Sequence, residues 1–403
     1  MTRSQDVFDQ PRPVSQDLRE LTEGNIRFAL SLYSALKQEK GNLFFSPYSL
    51  SSALAMTYGG ARNKTAEEMA DALHFTLSPD KLHPAFAELS ALYDKMQEAG
   101  GVQLHTANSL WPHKEYPLLP EYLELLKTYY GSTSIPLDYA QAAEEARQII
   151  NTWVEEKTQG RIKDLIGPDD IDSLTTLVLV NAIYFKGNWA SQFDPAQTAN
   201  AKFTLPDGST TQVPLMRQRG RFGYIEFEYS ESDHDETKRG QILELPYVGN
   251  ELSMLIILPG RPEDLPELES ELKAENLEEL TGWLSKEEVD VFLPKFKIDW
   301  GTFEFKPPLQ DLGIREAFSA DADFSGMDGT KSLSIDHILH KAFIEVNEEG
   351  TEAAAATVAS MTRCISTPKT FRADHPFLFL IRDKATGNIL FLGRLLDPER
   401  GEQ

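Results

Sequence analysis

The most constraining feature of the sequence is an apolar run near its middle. Residues 175–189 read TTLVLVNAIYFKGNW, and between Leu177 and Phe185 the run is interrupted by one amide, Asn181. A half-buried strand alternates apolar and polar residues, whereas a strand without alternation is buried on both faces. The chain must therefore build a sheet that other elements cover on both sides.

Helical patterns dominate the first half of the chain and strand patterns the second. The spacing of apolar residues predicts helices over 17–37 and over 143–166, the second ending near Gly160. Further runs predict strands at 242–248, 252–259, 289–298 and 342–349, and a hairpin that turns at 384–388. Because there is no internal repeat, no Gly/Ser/Pro-rich linker and no strict alternation of helices and strands, we expect an α+β fold around one large sheet.

Two helix starts can be placed from local signals. Ser46 is suited to be an N-cap, with Pro47 in the first helical position, and the helix should stop at Gly59-Gly60. Thr65 and Glu68 have the spacing of a capping box. We therefore interpret the sequon Asn63-Lys64-Thr65 as part of a helix start, not as a glycosylation site.

The charge balance disfavours some partners. The chain has 39 basic and 63 acidic residues, a net charge of −24, which argues against a nucleic-acid or anionic-membrane partner. No run reaches the ~20 apolar residues needed to cross a bilayer. No signal peptide is visible, so the chain is either cytoplasmic or has lost a leader. Its single cysteine, Cys364, excludes an intrachain disulfide.

Several arginine and histidine side chains could suggest a polyanion or metal site, but each is better explained as an ordinary structural or solvent-exposed residue. Arg217, Arg219 and Arg221 could grip a polyanion, but a solvated strand face fits the acidic chain better. His234 lies in an acidic stretch interpreted as a solvated loop, which imposes no metal geometry. His337 and His340 are three apart, so on a strand they point to opposite faces. We expect no metal and no cofactor.

The stretch EEGTEAAAATVASMTRCIS, residues 348–366, has almost nothing to bury. Four consecutive alanines favour a helix, yet the segment lacks the apolar stripe that would dock a helix on a core. No proline occurs between 351 and 367, so the segment is also compatible with a central strand.

Six stretches together resemble the serpin family, in the family's order and over residues 18–398. They are NLFFSPYSLSSALAM, LVLVNAIYFKGNW, LELPY, LPKFKI, LHKAFIEVNEEGTEAAAAT and ADHPFLFLIRDKATGNILFLGRLLDP. The chain departs from the family at GGARNKT, where a glycine is common at the place of Asn63 or Lys64; this affects a turn.

The resemblance implies a single domain at 18–398, with tails at 1–17 and 399–403. It implies three β-sheets, about nine helices and an exposed reactive-centre loop at about 348–370. It also implies a suicide-substrate inhibitor. The target protease cleaves the loop, and the cleaved loop enters the main sheet as a new strand, trapping the acyl-enzyme.

The hinge of this loop matches the inhibitory pattern from Glu348 to Thr357. Its members are Glu348, Glu349, Gly350, Thr351, Glu352, Ala353, Ala354, Ala355, Ala356 and Thr357. Side chains alternate along a strand, and one set, Thr351, Ala353, Ala355 and Thr357, is small throughout. We expect this set to pass beneath a covering helix, because overpacking costs about 1–3 kcal/mol per site. The other set begins with Glu352 and should face solvent or the open side of the sheet.

Two further groups are implied by the resemblance. Ser46, Ser49, Asn181 and His340, here called the sheet-opening cluster, should lie beneath the point where the strands part. Trp189 and the pair Lys295–Glu348, here called the insertion point, should lie where the loop first enters; the pair could bias the closed state, or be an ordinary surface pair worth ~0–1 kcal/mol. A Ser-His-acid hydrolase is disfavoured, since no Gly-x-Ser-x-Gly elbow exists to expose a nucleophile.

The bond that the protease cuts has two candidates. Counting from Gly350 gives Cys364–Ile365, whereas Arg363–Cys364 would suit a trypsin-like or subtilisin-like protease with an acidic specificity pocket. Both stay open. We expect a monomer that forms a covalent complex with a serine protease, or with a cysteine protease. The alternative is a non-inhibitory serpin acting as a binding protein or chaperone. Family resemblance implies an extracellular location, while the absence of a visible leader leaves the cytoplasm open.

Overall fold

The computed structural model describes residues 12–132, 134–230, 237–351 and 367–400. Its helices are α1 (Gln16–Leu36), α2 (Pro47–Tyr58), α3 (Asn63–Leu73), α4 (Pro79–Glu98), α5 (Pro120–Tyr130), α6 (Tyr139–Lys157), α7 (Leu265–Ser270), α8 (Ala274–Gly282), α9 (Lys306–Asp311) and α10 (Ser325–Asp328). Within these ranges no helix has the length and apolar composition that crossing a bilayer requires.

The strands occupy mainly the second half of the chain. They are β1 (Leu43–Phe45), β2 (Val102–Pro112), β3 (Leu177–Asn188), β4 (Ala199–Thr204), β5 (Thr210–Tyr229), β6 (Lys238–Pro246), β7 (Leu252–Pro259), β8 (Ser285–Pro294), β9 (Phe296–Asp299), β10 (Phe303–Glu304), β11 (His337–Val346), β12 (Gly350–Thr351), β13 (Lys369–Arg372), β14 (Phe377–Asp383) and β15 (Ile389–Leu395). The mixture confirms the expected α+β class.

The main sheet has six strands and carries the apolar run at its centre. β3 pairs with β2 on one side and, in parallel, with β11 on the other, and β9 and β10 pair with the far edge of β11. The β3–β11 seam joins Val178–Tyr184 to His337–Phe343. At one end the short strand β12 lies between β3 and β11 and pairs antiparallel with both.

The second sheet has nine strands, in the order β1-β15-β14-β7-β6-β5-β8-β13 with β4 added to β5. The three sheets implied by the resemblance thus appear as two hydrogen-bonded sheets in the described residues. The reason is β5, whose 20 residues pair with β4 and β8 along one part and with β6 along the other. The predicted hairpin is formed by β14 and β15.

Two buried layers cover the main sheet, as its central strand requires. The odd-numbered side chains of β3, including Leu179 and Ile183, join the large core that contains α1 and α2. The even-numbered ones, including Val180 and Ala182, join a second core beneath α6. α6 contributes its buried stripe to this second core: Tyr139, Ala146, Ile150 and Val154.

Of the two predicted helix starts, the one at Ser46 is confirmed and the capping box at Thr65 is wrong. Ser46 caps α2, its Oγ accepting from the Ser49 N–H, with Pro47 first in the helix. The capping box is wrong: α3 begins at Asn63, so Thr65 lies inside the helix. Thr65 Oγ1 instead accepts from the backbone N–H of Asp323, at 2.9 Å. The predicted helix over 143–166 spans 139–157, because Asp138 caps its start and the chain turns at Gly160, where φ is positive.

Candidate functional site

The sheet-opening cluster is a closed hydrogen-bond network between α2 and the seam of the main sheet. The backbone N–H of Ser46 donates to His340 Nε2 at 3.1 Å, so the ring proton sits on Nδ1, which donates to Asn181 Oδ1. Asn181 Nδ2 donates to Ser49 Oγ at 2.6 Å. All four residues are fully buried. Burial lowers the pKa of His340 to about 3, so the imidazole is neutral.

This network crosses the seam. Asn181 on β3 and His340 on β11 are register partners in the parallel ladder. Their side-chain hydrogen bond must break if the two strands separate, and a buried polar group left without a partner is costly. The hydrogen bond between Asn181 and His340 therefore favours the directly paired arrangement of β3 and β11.

Asn108 is a fifth member that the sequence analysis missed. It lies on β2 opposite Asn181, and its Oδ1 accepts from Ser49 Oγ at 3.1 Å and from Asn181 Nδ2. Its amide also donates to the Ser49 carbonyl at 3.4 Å. The sequence alone predicts no strand at 102–112, so nothing marked the Asn108 amide as buried, where such a group needs a partner.

The geometry of the cluster is not that of a hydrolase. A catalytic histidine accepts from a serine hydroxyl, whereas His340 Nε2 accepts from a backbone N–H. Ser46 Oγ donates to the Leu390 carbonyl at 2.6 Å. No substrate could reach either group, since both residues are fully buried.

The insertion point lies at the end of the seam where β12 sits. Gly350 faces Asn188, and Thr351 lies between Gly187 and Val346. Only glycine fits at 350, because a Cβ there would overlap the backbone carbonyl of Gly187. Thr351 is fully buried, and its Oγ1 is 2.9 Å from the Tyr247 hydroxyl.

Trp189 contacts the residues that precede β12 and packs against the second sheet. Its ring stacks on Tyr247, with centroids 4.8 Å apart, and its Nε1 donates to the Asn347 carbonyl at 3.0 Å. Its backbone N–H donates to the Glu349 carbonyl at 2.9 Å. These contacts position residues 347–349 at the end of the seam, next to β12, which lies between β3 and β11.

Lys295 and Glu348 form the pair that the resemblance implied. Lys295 Nζ is 2.9 Å from Glu348 Oε2, and the Thr198 hydroxyl donates to Glu348 Oε1 at 2.8 Å. Burial alone would raise the pKa of Glu348, but the hydrogen bonds from Lys295 and Thr198 outweigh it and hold the pKa below its usual value. The carboxylate is therefore ionised and held by two partners at neutral pH.

The expected facing of the hinge is wrong for Thr351. The sequence pattern places Thr351 beneath the covering helix, yet its side chain points to the large core and to Tyr247. The register explains this, since Thr351 pairs with Gly187, an odd-numbered residue of β3, while α6 covers the even-numbered ones. The other three residues of that set, Ala353, Ala355 and Thr357, lie outside the described residues.

Other predicted residues also lie outside the described part of the chain. They are Glu352, Ala354, Ala356, the candidate bonds at Arg363, Cys364 and Ile365, and His234.

The alternative ligand-binding groups have ordinary protein partners. Arg217 pairs with Asp290 at 2.7 Å and Arg219 lies 3.7 Å from Glu288 across the β5–β8 ladder. His337 Nδ1 is 2.9 Å from Glu304 Oε2, away from His340. Across the described ranges, no three His, Cys, Asp or Glu side chains form a group able to hold a metal ion.

Comparison with known proteins identifies the family. A sequence model described as "Serpin (serine protease inhibitor)" matches residues 23–398. Leukocyte elastase inhibitors from Homo sapiens and Bos taurus are 41% and 43% identical over 394 and 392 residues, covering 94% of this chain and 100% of each relative. An uncharacterized serpin-like protein of Thermococcus kodakarensis is 42% identical over 378 residues, covering 93% of this chain and 85% of the relative.

Solved structures resemble this fold over nearly the whole chain. A highly specific serpin of the insect Tenebrio molitor matches with a TM-score of 0.83 and 36% identity, over 96% of this chain and 100% of that one. Human thyroxine-binding globulin, complexed with its hormone, matches with a TM-score of 0.83 and 30% identity, over 95% and 99%. The chain therefore belongs to the serpin family, which places it among protease inhibitors and not among enzymes.

Proposed function

We propose that the protein is a suicide-substrate inhibitor of a serine protease that inserts its cleaved loop between β3 and β11. The observation that carries the proposal is β12, a two-residue strand that already lies between these strands at the end where the loop begins. The gap it occupies continues into a seam where β3 and β11 pair directly, in parallel, over seven residue pairs.

Continuing the register of β12 supports insertion of the following residues. Thr351 is opposite Gly187 and Val346, so residue 354 would fall between Tyr184 and Phe343, and residue 357 between Asn181 and His340. The small residues at 353 and 355 would then face the large core, and 354 and 356 the side of α6. Insertion replaces one parallel ladder with two antiparallel ladders, which gains backbone hydrogen bonds worth ~0.5–1.5 kcal/mol each.

The first test is covalent complex formation. The protein is incubated with trypsin and, separately, with subtilisin. We expect an SDS-resistant band at the mass of the two proteins together less the C-terminal fragment that acylation releases, which begins at residue 364 or 365. Cleavage in the 352–366 segment without such a band would contradict inhibition by this mechanism. That outcome would favour the alternative of a non-inhibitory binding protein.

The Thr351→Arg substitution tests insertion itself. Arginine at this fully buried position cannot pack against Tyr247, so the hinge should stay out of the sheet and the protein should become a substrate. We expect the stoichiometry of inhibition to rise at least about tenfold. Thr351→Ser keeps the hydroxyl and is the matched control. Equal complex formation by the arginine and serine variants would contradict the proposal.

The target class follows from the bond that is cut. We propose a trypsin-like or subtilisin-like protease that cleaves at Arg363–Cys364 or at Cys364–Ile365. Mass spectrometry of the released C-terminal fragment distinguishes the two, since it begins with Cys364 or with Ile365. Loss of inhibition in Arg363→Ala with retention in Cys364→Ala would assign the bond to Arg363. The descriptions of the relatives give no support to the extracellular location that the resemblance implies.

A further inference from the structure

A carboxylate joins β3 to β11 at the end of the seam that lies farthest from β12. Asp336 directly precedes β11, Thr176 directly precedes β3, and Leu177 is the first residue of β3. The backbone N–H groups of Thr176 and Leu177 donate to Asp336 Oδ2 at 2.6 Å and 3.1 Å. The Thr176 hydroxyl lies 2.8 Å from the same oxygen. Hydrogen bonds to a carboxylate are charge-assisted and therefore among the stronger ones in proteins.

The backbone adds to this contact across the seam. The Asp336 N–H donates to the Leu177 carbonyl at 3.1 Å, and the Thr176 hydroxyl also lies 3.1 Å from the Ser334 carbonyl. In each of these contacts one partner leads into β11 and the other into β3. Separation of the two strands at this end must therefore break all of them. We call Asp336, Thr176 and Leu177 the end latch.

The register of β12 determines which loop residues would meet the end latch. Thr351 pairs with β3 and with β11, and the two strands are themselves in register along the seam. Counted from Thr351, residue 361 would fall between Leu177 and Asp336. Residue 359 would stop two positions short of the end latch. The first eight residues after Thr351 therefore do not reach it, whereas the next three do.

An inserted strand cannot coexist with a closed end latch. Neighbouring strands lie about 4.8 Å apart, so a strand placed between β3 and β11 separates them by roughly twice that distance. The side chain of Asp336 has a single methylene group and cannot follow Thr176 across the added gap. The N–H groups of Thr176 and Leu177 would then bond to the inserted strand, and the carboxylate would lose the donors that it has in this structure.

We propose that Asp336 controls the last stage of loop insertion by holding the far end of the seam closed. This inference rests on the proposed function, because it concerns the same insertion. In that proposal the loop is cut after residue 363 or 364, so the residues that meet the end latch come just before the acylated one. The end latch opposes the final advance of the acylated residue, after the earlier part of the loop has entered. Asp336 is a positioning residue, since it acts through the strands.

Two synthetic peptides test the proposal on the unmodified, uncleaved protein. The short peptide is EAAAATVA, residues 352–359, and the long peptide is EAAAATVASMT, residues 352–362. Each carries an N-terminal fluorophore, and its dissociation constant is measured by fluorescence polarisation after incubation to equilibrium. We expect similar constants, because the hydrogen bonds that the three extra residues gain are offset by those that the end latch loses.

The outcomes on the unmodified protein separate the two proposals. If neither peptide binds up to its solubility limit, the seam does not accept a strand, and the proposed function fails together with the end latch. If the long peptide binds more than about tenfold more tightly than the short one, the seam accepts a strand but the end latch offers no resistance. That result would overturn the role of Asp336 alone, and it needs no variant that has to fold.

Asp336→Ala removes the acceptor of the end latch. The variant should bind the long peptide at least about tenfold more tightly than the unmodified protein does, and the short peptide equally well. A general loosening of the protein would strengthen the binding of both peptides, so the dependence on peptide length separates the end latch from a merely structural role. Unchanged affinity for the long peptide, or an equal gain for both, would overturn the proposal.

Two further variants are matched controls. Asp336→Asn keeps an acceptor oxygen at the same place, so its gain for the long peptide should be smaller, about threefold or less. Asp172→Ala removes a carboxylate that accepts from the Leu174 N–H at 2.8 Å, a contact within the segment before β3 that does not cross the seam. It should bind both peptides as the unmodified protein does. A gain for the long peptide equal to that of Asp336→Ala would overturn the assignment to the end latch.

Discussion

At the scale of single residues, the ion pair between Arg12, near the N-terminus, and the buried Asp383 makes a clear prediction. Asp383 at the end of β14 is fully buried, and Arg12 Nη2 is 3.2 Å from its carboxylate. Arg12 also pairs with the exposed Glu251 at 3.0 Å. Arg12 belongs to the segment expected to be an N-terminal tail, yet it neutralises a charge in the core.

Arg12→Met should therefore destabilise the protein by about 1–3 kcal/mol. The effect is below the ~3–5 kcal/mol of a wholly buried pair because Arg12 is partly exposed. Glu251→Gln is the control and should change stability by less than about 1 kcal/mol, since that pair is solvent-exposed. The measurement is the unfolding midpoint in urea, and equal midpoints for the two variants would refute the assignment.

His340 makes a pH-dependent prediction. Its folded-state pKa is lowered to about 3, below the unfolded value of about 6.5. Between these values the unfolded chain binds a proton that the folded protein does not, so stability falls as the pH falls from 6.5. His340→Asn removes this term of up to ~1.4 kcal/mol per pH unit. We expect the melting temperature of the variant to fall less between pH 7 and pH 5; an equal fall would contradict a neutral His340.

At the scale of elements, β12 depends on one glycine. A side chain at 350 would overlap Gly187, so Gly350→Ala should push β12 out of the gap between β3 and β11. We expect slower formation of the covalent complex and a loss of about 1–3 kcal/mol in stability. Gly282→Ala at the end of α8 is the control, because its Cβ meets no other atom within 4 Å. Complex formation at the unmodified rate would show that β12 has no part in insertion.

At the scale of the whole molecule, the proposal predicts that cleavage stabilises the protein. About ten new backbone hydrogen bonds at ~0.5–1.5 kcal/mol each would form as residues after Thr351 enter the main sheet. The melting temperature of the cleaved protein should therefore rise by roughly 10 °C or more. Differential scanning calorimetry before and after limited proteolysis measures this. The cleaved Thr351→Arg variant should show no rise, and an equal rise there would refute insertion at the hinge.

Local features could be predicted from the sequence because their physics acts over a few residues. Ser46 and Pro47 start α2 by hydrogen bonds and sterics within one turn, and the apolar run at 177–185 requires a sheet covered on both faces. The six stretches that resemble serpins were specific enough to identify the family.

Contacts between distant segments could not be predicted in this way. Thr65 has the spacing of a cap, yet it bonds to Asp323, 258 residues away. Asn108 joins the sheet-opening cluster because strand register places it opposite Asn181.

The sequence by itself determined the fold class, the family and the strand compatibility of the hinge, since these depend on residue type and spacing. Only the tertiary structure decided that Thr351 faces the core and not α6. A shift of one residue in the pairing of β12 with β3 would reverse that facing, and register is set by contacts across the sheet, which spacing along the chain does not contain.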